Sequence, residues 1–172
     1  MRIYVVRHGA AIDRSDPKCP SEAERYLIAE GMTKTKQVAR ALAALGIFAD
    51  VMIASPYVRA WQTAEIFADA FDVAKSKIER TNVLLPGAEP AGFFRELARQ
   101  TSHRKSMESV MCFGHAPQLD ELIAAALGLK KDVTELRKAG VACIELGRIH
   151  PPAGKMVWMV TPKAVRKLSK GK

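Results

Sequence analysis

The chain has 172 residues, 48% of them apolar, which is enough to bury one substantial core and predicts a single domain. Its formal net charge is +9 at pH 7, and five of its 27 Lys and Arg residues fall within positions 163–172, where no acidic residue occurs. Three widely spaced cysteines without a C-x-x-C pair argue against a disulfide framework or a structural zinc site. No apolar run approaches the ~18 residues that cross a bilayer.

The charge distribution divides the chain into a domain over residues 1–162 and a basic C-terminal tail over residues 163–172. A solvated tail is the simpler interpretation, and a weak contact with nucleic acid, an anionic surface or a phosphoprotein is the functional one. The N-terminus enters an apolar strand at once, without the longer apolar segment of a signal peptide. Together with the cysteine pattern, this predicts a cytoplasmic protein that contacts no membrane.

Apolar runs and helical patterns alternate along the chain. The first predicted strand covers residues 3–6, and the long polar connection over residues 10–30 has the length of a functional loop. The remaining predicted elements are a helix over 33–45, a strand over 51–54, a helix over 55–71, a strand over 78–84, a helix over 90–100, a strand over 109–113, a helix from 117 to a stop at Gly128, and strands over 140–146 and 155–160. Within this scheme Ser55 is predicted as a helix N-cap.

The order of these elements, β-α-β-α-β-α-β-α-β-β, predicts the fold class. Apolar strands that alternate with helices form mostly parallel sheets covered on both faces. The last two strands follow each other without a helix and can form an antiparallel edge. We therefore expect an α/β protein, a single three-layer α/β/α domain with a mostly parallel sheet.

Three predicted strands end in residues that carry chemistry. The first ends in Arg-His-Gly at 7–9, the second in Ser-Pro at 55–56 with Arg59 one turn later, and the fourth in Gly-His at 114–115. Ligands of open parallel sheets bind outside the carboxyl ends of the strands. If these three strands are neighbours, two arginines and two histidines converge there.

Such a cluster suits phosphoryl transfer through a histidine. Two guanidiniums can bind phosphate oxygens bidentately, and two imidazoles supply a nucleophile and a partner. The sequence has no Asp/Glu/His cluster with metal-ligand spacing and no Gly-rich phosphate loop of Walker type. We therefore expect chemistry without a metal or another cofactor.

The sequence resembles a known family at these positions. Residues 5–9, 55–64 and 114–115 are similar to the three signatures of the histidine phosphatase superfamily, which has the phosphoglycerate-mutase-like fold. The short chain and the Ser-Pro-x-x-Arg-Ala-x-Gln-Thr-Ala stretch are most similar to phosphohistidine phosphatases of the SixA type. The resemblance covers essentially the whole chain, in order.

The resemblance implies a role for each motif residue. His8 would be the nucleophile that is phosphorylated during turnover, Arg7 and Arg59 would clamp the phosphoryl oxygens, and His115 would donate a hydrogen bond to them. His8 must attack as neutral imidazole, and its other ring nitrogen needs a fixed acceptor. The carbonyl of Gly9 is the candidate for that acceptor, and the surrounding cations disfavour protonation of the ring.

The chain departs from the ester-cleaving members in its proton donor. Those members carry an acid after the third strand, where this sequence offers only Glu89, beside Pro90; Asp13 is a second candidate. The absence of a strong candidate favours a phosphoramidate such as phosphohistidine, whose leaving nitrogen is more easily protonated than an alkoxide. His103 and His150 are expected in solvated loops.

The resulting hypothesis is a metal-independent phosphatase that works through a phosphohistidine intermediate on His8. Its expected substrate is phosphohistidine on a partner protein. One alternative is a small-molecule phosphomonoesterase of the same superfamily. The other is a non-catalytic module that binds a phosphorylated ligand, and nucleic acid is the less favoured partner of the basic tail.

Overall fold

The computed structural model describes residues 1–168, whose strands form one six-stranded sheet. The strands are β1 (Arg2–Arg7), β2 (Val51–Ala54), β3 (Ile78–Arg80), β4 (Ser109–Gly114), β5 (Val141–Arg148) and β6 (Ala153–Val160). The helices are α1 (Ala29–Ala44), α2 (Val58–Ala70), α3 (Pro90–His103), α4 (Gln118–Ala126) and α5 (Pro162–Leu168). Short 3₁₀ turns at Lys75–Lys77 and Asn82–Leu84 flank β3, which is shorter than predicted.

The strand order is β3-β2-β4-β1-β5-β6. The pairs β3–β2, β2–β4 and β4–β1 are parallel, whereas β5 pairs antiparallel with β1 and β6 antiparallel with β5. The predicted mostly parallel sheet with an antiparallel edge is therefore confirmed. The three strands that end in the sequence motifs are direct neighbours, so their carboxyl ends share one edge.

Helices cover both faces of the sheet, and the side chains of β1 alternate between two cores. Ile3 and Val5 pack in a cluster with the apolar sides of α3 and α4. Tyr4 and Val6 pack in a second cluster with α1, α2 and Val165 of α5. Strands buried on both faces explain the continuous apolar runs of the sequence and confirm the three-layer architecture.

Helix α1 begins four residues before its predicted start, and Gly31 lies in its first turn. A Cβ on Gly31 would lie 2.0 Å from the carbonyl oxygen of Ala10. The glycine is therefore required by a close backbone approach, in which the first turn of α1 packs directly on the chain leaving β1.

The basic C-terminal segment differs in part from the predicted solvated tail. Residues 162–168 form α5, and Val165 is only 6% exposed in the core next to α1. The sequence did not reveal this helix, because it is short and its buried Val165 is surrounded by basic residues. The predicted tail also includes residues 169–172, which lie outside the described residues.

Candidate active site

The predicted cluster forms at the carboxyl ends of β1, β2 and β4. Arg7, His8, Arg59 and His115 line one cavity of about 360 Å³. A larger depression of about 670 Å³ lies at the opposite edge of the sheet, around Met1 and Phe48, and contains none of these side chains. The convergence of charged and imidazole groups, and not cavity size, identifies the candidate site.

His8 is held by a neighbour at each ring nitrogen. Its Nδ1 lies 2.7 Å from the carbonyl oxygen of Gly9, and the Nε of Arg59 donates to its Nε2 over 3.2 Å. A carbonyl can only accept and a guanidinium can only donate. The ring proton therefore belongs on Nδ1, and Nε2 carries a lone pair directed into the site.

The environment of His8 also keeps the ring uncharged. Burial, helped by the nearby charges of Arg59 and Arg7 and opposed by the bond to Gly9, lowers the pKa of His8 from 6.5 to about 3. A neutral imidazole whose Nε2 carries no proton is the protonation state that nucleophilic attack requires.

His115 faces His8, with ring centroids 5.2 Å apart. Its Nε2 lies 2.9 Å from the Oγ of Ser55, which also accepts from the amide of Tyr57 over 3.4 Å, so the hydroxyl proton is available to Nε2. The Nδ1 is buried and has no hydrogen-bond partner among the described residues. With the ring proton on Nδ1, His115 can donate one hydrogen bond to an anion in the cavity.

Ser55 therefore differs from its predicted role. Helix α2 begins at Val58 with Tyr57 at the N-cap position, and no side chain caps it. Ser55 instead ends β2 beside His115, where its hydroxyl fixes the imidazole. The Ser-Pro pair resembles a helix start in sequence, and only the position of β4 next to β2 reveals the contact.

Arg7 is positioned by the chain before β5. Its Nη1 donates to the carbonyl oxygen of Leu136 over 2.7 Å, and the amide of Leu136 donates to the buried carboxylate of Asp120 over 2.8 Å. The amide of Ala139 also donates to the carbonyl oxygens of Arg7 and His8. The buried Nε of Arg7 has no partner among the described residues, so it remains available to a ligand.

Thr63 connects two parts of the site. Its Oγ1 accepts from the amide of Gly9 over 3.1 Å and donates to the carbonyl oxygen of Arg59 over 2.7 Å. The hydroxyl thereby fixes the turn that presents His8 relative to the first turn of α2. Sequence reasoning quoted Thr63 within a motif but assigned it no role.

Glu22 is a site residue that sequence reasoning missed. Residues 12–26 form a loop whose two ends are joined by an antiparallel bridge between Ala11 and Leu27. The returning half of this loop places the Glu22 carboxylate in the lining of the cavity. There the carboxylate contacts three guanidiniums, those of Arg14, Arg25 and Arg59. The hydrogen bond from Arg14, followed by the charges of Arg59 and Arg25, lowers the pKa of Glu22 to about 2 against the opposing effect of burial. The mixed charges of this loop are visible in the sequence, but its path is not.

The two candidate proton donors gain no support from their positions. Glu89 is the N-cap residue of α3 and does not line the cavity. Asp13 does line the cavity, but its carboxylate accepts from the amide and hydroxyl of Ser15 over 2.9 and 2.7 Å. These bonds lower the pKa of Asp13, which favours the ionised form over a proton donor.

The remaining histidines lie outside the cavity, at exposed positions. His150 is in the turn between β5 and β6, as predicted, whereas His103 is the last residue of α3 and not part of a loop.

Within residues 1–168, no group of three or more His, Cys, Asp or Glu side chains is arranged to hold a metal ion. No helix in the same range is long and apolar enough to pass through a bilayer.

The fold and this site together define an α/β protein with a cationic pocket around two neutral histidines. Residues 3–82 match the model of the histidine phosphatase superfamily (branch 1). An uncharacterized protein of Picosynechococcus sp. is 33% identical over 164 residues, which cover 94% of this chain and 96% of that protein. The chain belongs to the histidine phosphatase superfamily, whose members are phosphatases and therefore hydrolases.

Other similarities are partial or structural. The mitochondrial serine/threonine-protein phosphatase Pgam5 of Drosophila persimilis is 32% identical over 110 residues, which span 56% of this chain and 37% of Pgam5. The tungstate complex of the protein histidine phosphatase SixA has a TM-score of 0.83 at 22% identity, covering 96% of this chain and 99% of SixA. A phosphoserine phosphatase of Entamoeba histolytica has a TM-score of 0.70 at 12% identity, covering 94% and 98%. These structures share the phosphoglycerate-mutase-like fold with this chain.

Proposed function

We propose that this protein is a metal-independent phosphatase that removes phosphate from phosphohistidine on a partner protein through a phosphohistidine intermediate on His8. The observation that carries the proposal is the state of the His8 ring. Its Nδ1 bonds to the carbonyl of Gly9, and its Nε2 presents a lone pair beside the guanidinium of Arg59. A module that only binds phosphate has no need of a buried neutral nucleophile.

The proposed reaction has two steps, transfer of the phosphoryl group to His8 and hydrolysis of the phosphohistidine intermediate. The Nε2 lone pair of His8 forms a bond to phosphorus while the phosphorus–nitrogen bond of the substrate breaks, and the leaving imidazole takes a proton from solvent. Water then attacks phosphorus, the bond to Nε2 breaks, and inorganic phosphate leaves with His8 neutral again. Arg7, Arg59 and the Nδ1 proton of His115 stabilise the negative charge on the phosphoryl oxygens during both steps.

The leaving group supports the choice of a phosphoramidate. Glu89 does not line the cavity, and the hydrogen bonds from Ser15 favour the ionised form of Asp13, which disfavours an alkoxide leaving group. A nitrogen leaving group is protonated more easily and needs less assistance. The similar fold of SixA, a protein histidine phosphatase, supports the same substrate class.

The three cysteines support a location for this activity. Cys19, Cys112 and Cys143 are all free thiols. Free thiols are typical of a reducing compartment. We therefore include the cytoplasm in the proposal, together with a phosphorylated protein as the partner.

One assay tests the proposal. The wild type, His8→Ala and the surface control His103→Ala are given p-nitrophenyl phosphate and a phosphohistidine-carrying protein, both in EDTA. We expect wild type and His103→Ala to release phosphate preferentially from phosphohistidine, and the His8→Ala variant to be inactive on both substrates. Rapid ester hydrolysis without phosphoramidate activity would instead identify a small-molecule phosphomonoesterase. Tight phosphate binding without any turnover would identify a binding module.

A further inference from the structure

Three arginine side chains surround the carboxylate of Glu22. Arg14 donates from Nε and Nη2 over 2.8 and 3.0 Å, Arg25 from Nη1 over 3.2 Å, and Arg59 from Nη2 over 2.8 Å. Several guanidiniums around one carboxylate form the type of site that binds a free acidic group. Two of these arginines, Arg14 and Arg25, have no part in the reaction derived above.

This arginine cluster adjoins the phosphoryl position. Arg59 donates to Nε2 of His8 with one nitrogen and to Glu22 with another. The clustered arginines line the same cavity as His8 and His115. An acidic group in the place of the Glu22 carboxylate would therefore contact the same Arg59 guanidinium that lies beside the phosphoryl group.

Two of the three clustered arginines, Arg25 and Arg59, are also held by main-chain carbonyls, whereas the exposed Arg14 bonds to the Glu22 carboxylate. Arg59 also donates to the main-chain carbonyl of Glu22 over 2.7 Å, and Arg25 donates twice to the carbonyl of Ile12, over 3.0 and 2.7 Å. The Glu22 side chain is 39% exposed, so it can turn to solvent while these main-chain bonds persist. Two of the three guanidiniums would therefore keep main-chain partners if the Glu22 carboxylate turned away.

We propose that Arg14, Arg25 and Arg59 form a second anion subsite, which receives an acidic group adjacent to the phosphoryl group of the substrate and which Glu22 occupies when no ligand is bound. This inference rests on the proposed function for the phosphoryl position itself. It narrows the substrate class to phosphorylated residues that have a carboxylate close by, in the first place an acidic side chain of the phosphoprotein.

The first test removes the negative charge of Glu22 from the subsite. Binding of inorganic phosphate and of methylphosphonate is measured by calorimetry for wild type, Glu22→Gln and Glu24→Gln. Glu24 is the matched control because it lies on the same loop, where it accepts from the hydroxyl of Ser21. We expect Glu22→Gln alone to bind both anions roughly threefold to tenfold more tightly, since one competing charge is lost. Weaker binding by Glu22→Gln would overturn the proposal, because Glu22 would then be a residue that positions Arg59.

The second test removes the subsite. Phosphonoacetate carries a carboxylate beside a phosphonate and methylphosphonate does not, and neither is hydrolysed. We expect wild type to prefer phosphonoacetate, Arg14→Ala to lose roughly threefold or more of that preference, and the control Arg99→Ala to retain it. Arg99 is a suitable match because it is an exposed arginine paired with Glu96 on α3. Equal binding of the two phosphonates by wild type would overturn the subsite alone, whereas binding of neither would contradict the proposed function.

A third measurement identifies the source of the acidic group. A phosphopeptide with aspartate next to the phosphorylated residue, and its asparagine counterpart, are bound to the His8→Ala variant, which cannot turn them over. Tighter binding of the aspartate peptide supports the subsite and assigns the acid to a polypeptide. A preference confined to phosphonoacetate supports the subsite and assigns the acid to a small molecule.

Discussion

His8 shows how far individual residues can be read from the sequence. An apolar strand that ends in Arg-His-Gly predicts functional groups at a sheet edge, and the expected Gly9 carbonyl is indeed 2.7 Å from the Nδ1 of His8. Thr63 and Glu22 could not be assigned in this way, because their roles depend on which segments approach one another. Local sequence identifies the groups that carry chemistry but not the groups that position or cover them.

The two buried histidines should make the stability of the protein pH-dependent. The pKa of His8 is lowered to about 3 and that of His115 to about 2, mainly by burial, from an ordinary value of 6.5. Between pH 6.5 and 3 the unfolded chain therefore binds more protons than the folded one, and the free energy of unfolding falls as the pH is lowered through this window. We expect the Tm to decrease from pH 7 to pH 5, and His115→Gln to reduce this slope.

Thermal melts at constant ionic strength check this expectation. The control is His103→Asn, since His103 is exposed at the end of α3. It should keep the wild-type slope. A Tm that is constant between pH 7 and pH 5, or a slope unchanged by His115→Gln, would contradict the protonation states derived for the site.

Removal of the Arg59 guanidinium should have a large effect on rate. Arg59 is 3% exposed and donates directly to Nε2 of His8, which places it beside the phosphoryl group in the proposed reaction. Preorganised donors of this kind contribute about 3–4 kcal/mol to transition-state stabilisation, so Arg59→Ala should lower kcat by roughly 10²- to 10³-fold. Steady-state kinetics with p-nitrophenyl phosphate, beside the exposed control Arg99→Ala, measure the effect. A loss below tenfold in a folded variant would exclude Arg59 from the clamp.

At the scale of the elements, α1 depends on one close backbone contact. Apolar periodicity predicted this helix but not its first turn, because glycine disfavours helices and Gly31 lies in that turn. The glycine is present because the carbonyl of Ala10 occupies the place of a side chain. Propensity was overridden by packing, and packing partners ten or more residues away are invisible to a local pattern.

The substitution Gly31→Ala tests this contact. A Cβ at residue 31 would lie 2.0 Å from the carbonyl oxygen of Ala10, so either α1 or the chain after β1 must move. We expect a loss of about 1–3 kcal/mol in the free energy of unfolding, as for overpacked sites, measured by urea denaturation. Gly147→Ala is the matched control, because the nearest atom to its added Cβ is 3.7 Å away. Equal stabilities of the two variants would refute the close approach.

At the scale of the whole molecule, alternation of strands and helices was sufficient to predict the layers and the antiparallel edge. The motifs come together because the strand order is β3-β2-β4-β1-β5-β6. The sequence did not predict this order; it predicted only that the motifs would converge if their three strands were neighbours. The C-terminal segment was interpreted from its charge alone, which hid the apolar side chain of Val165 that packs on the body. Charge patterns describe solvated surfaces well and brief core contacts poorly.

Val165 tests whether α5 is part of the folded domain. The side chain is 6% exposed within the core shared by α1 and α2. Truncation to alanine should cost about 1–2 kcal/mol in the free energy of unfolding, since two buried carbon groups are lost. Val133→Ala is the control, because Val133 is 68% exposed. If both variants retain wild-type stability in urea titrations, α5 contributes nothing to the domain.

The central place of β1 has a consequence for synthesis. Strand β1 pairs with β4 on one side and with β5 on the other, and these begin at Ser109 and Val141. More than a hundred residues must be translated after β1 before either of its hydrogen-bonding edges can be paired, so β1 is an apolar strand without a partner over that stretch of synthesis. His8 is thus synthesised long before His115, which follows β4, and the site cannot assemble until both strands are present.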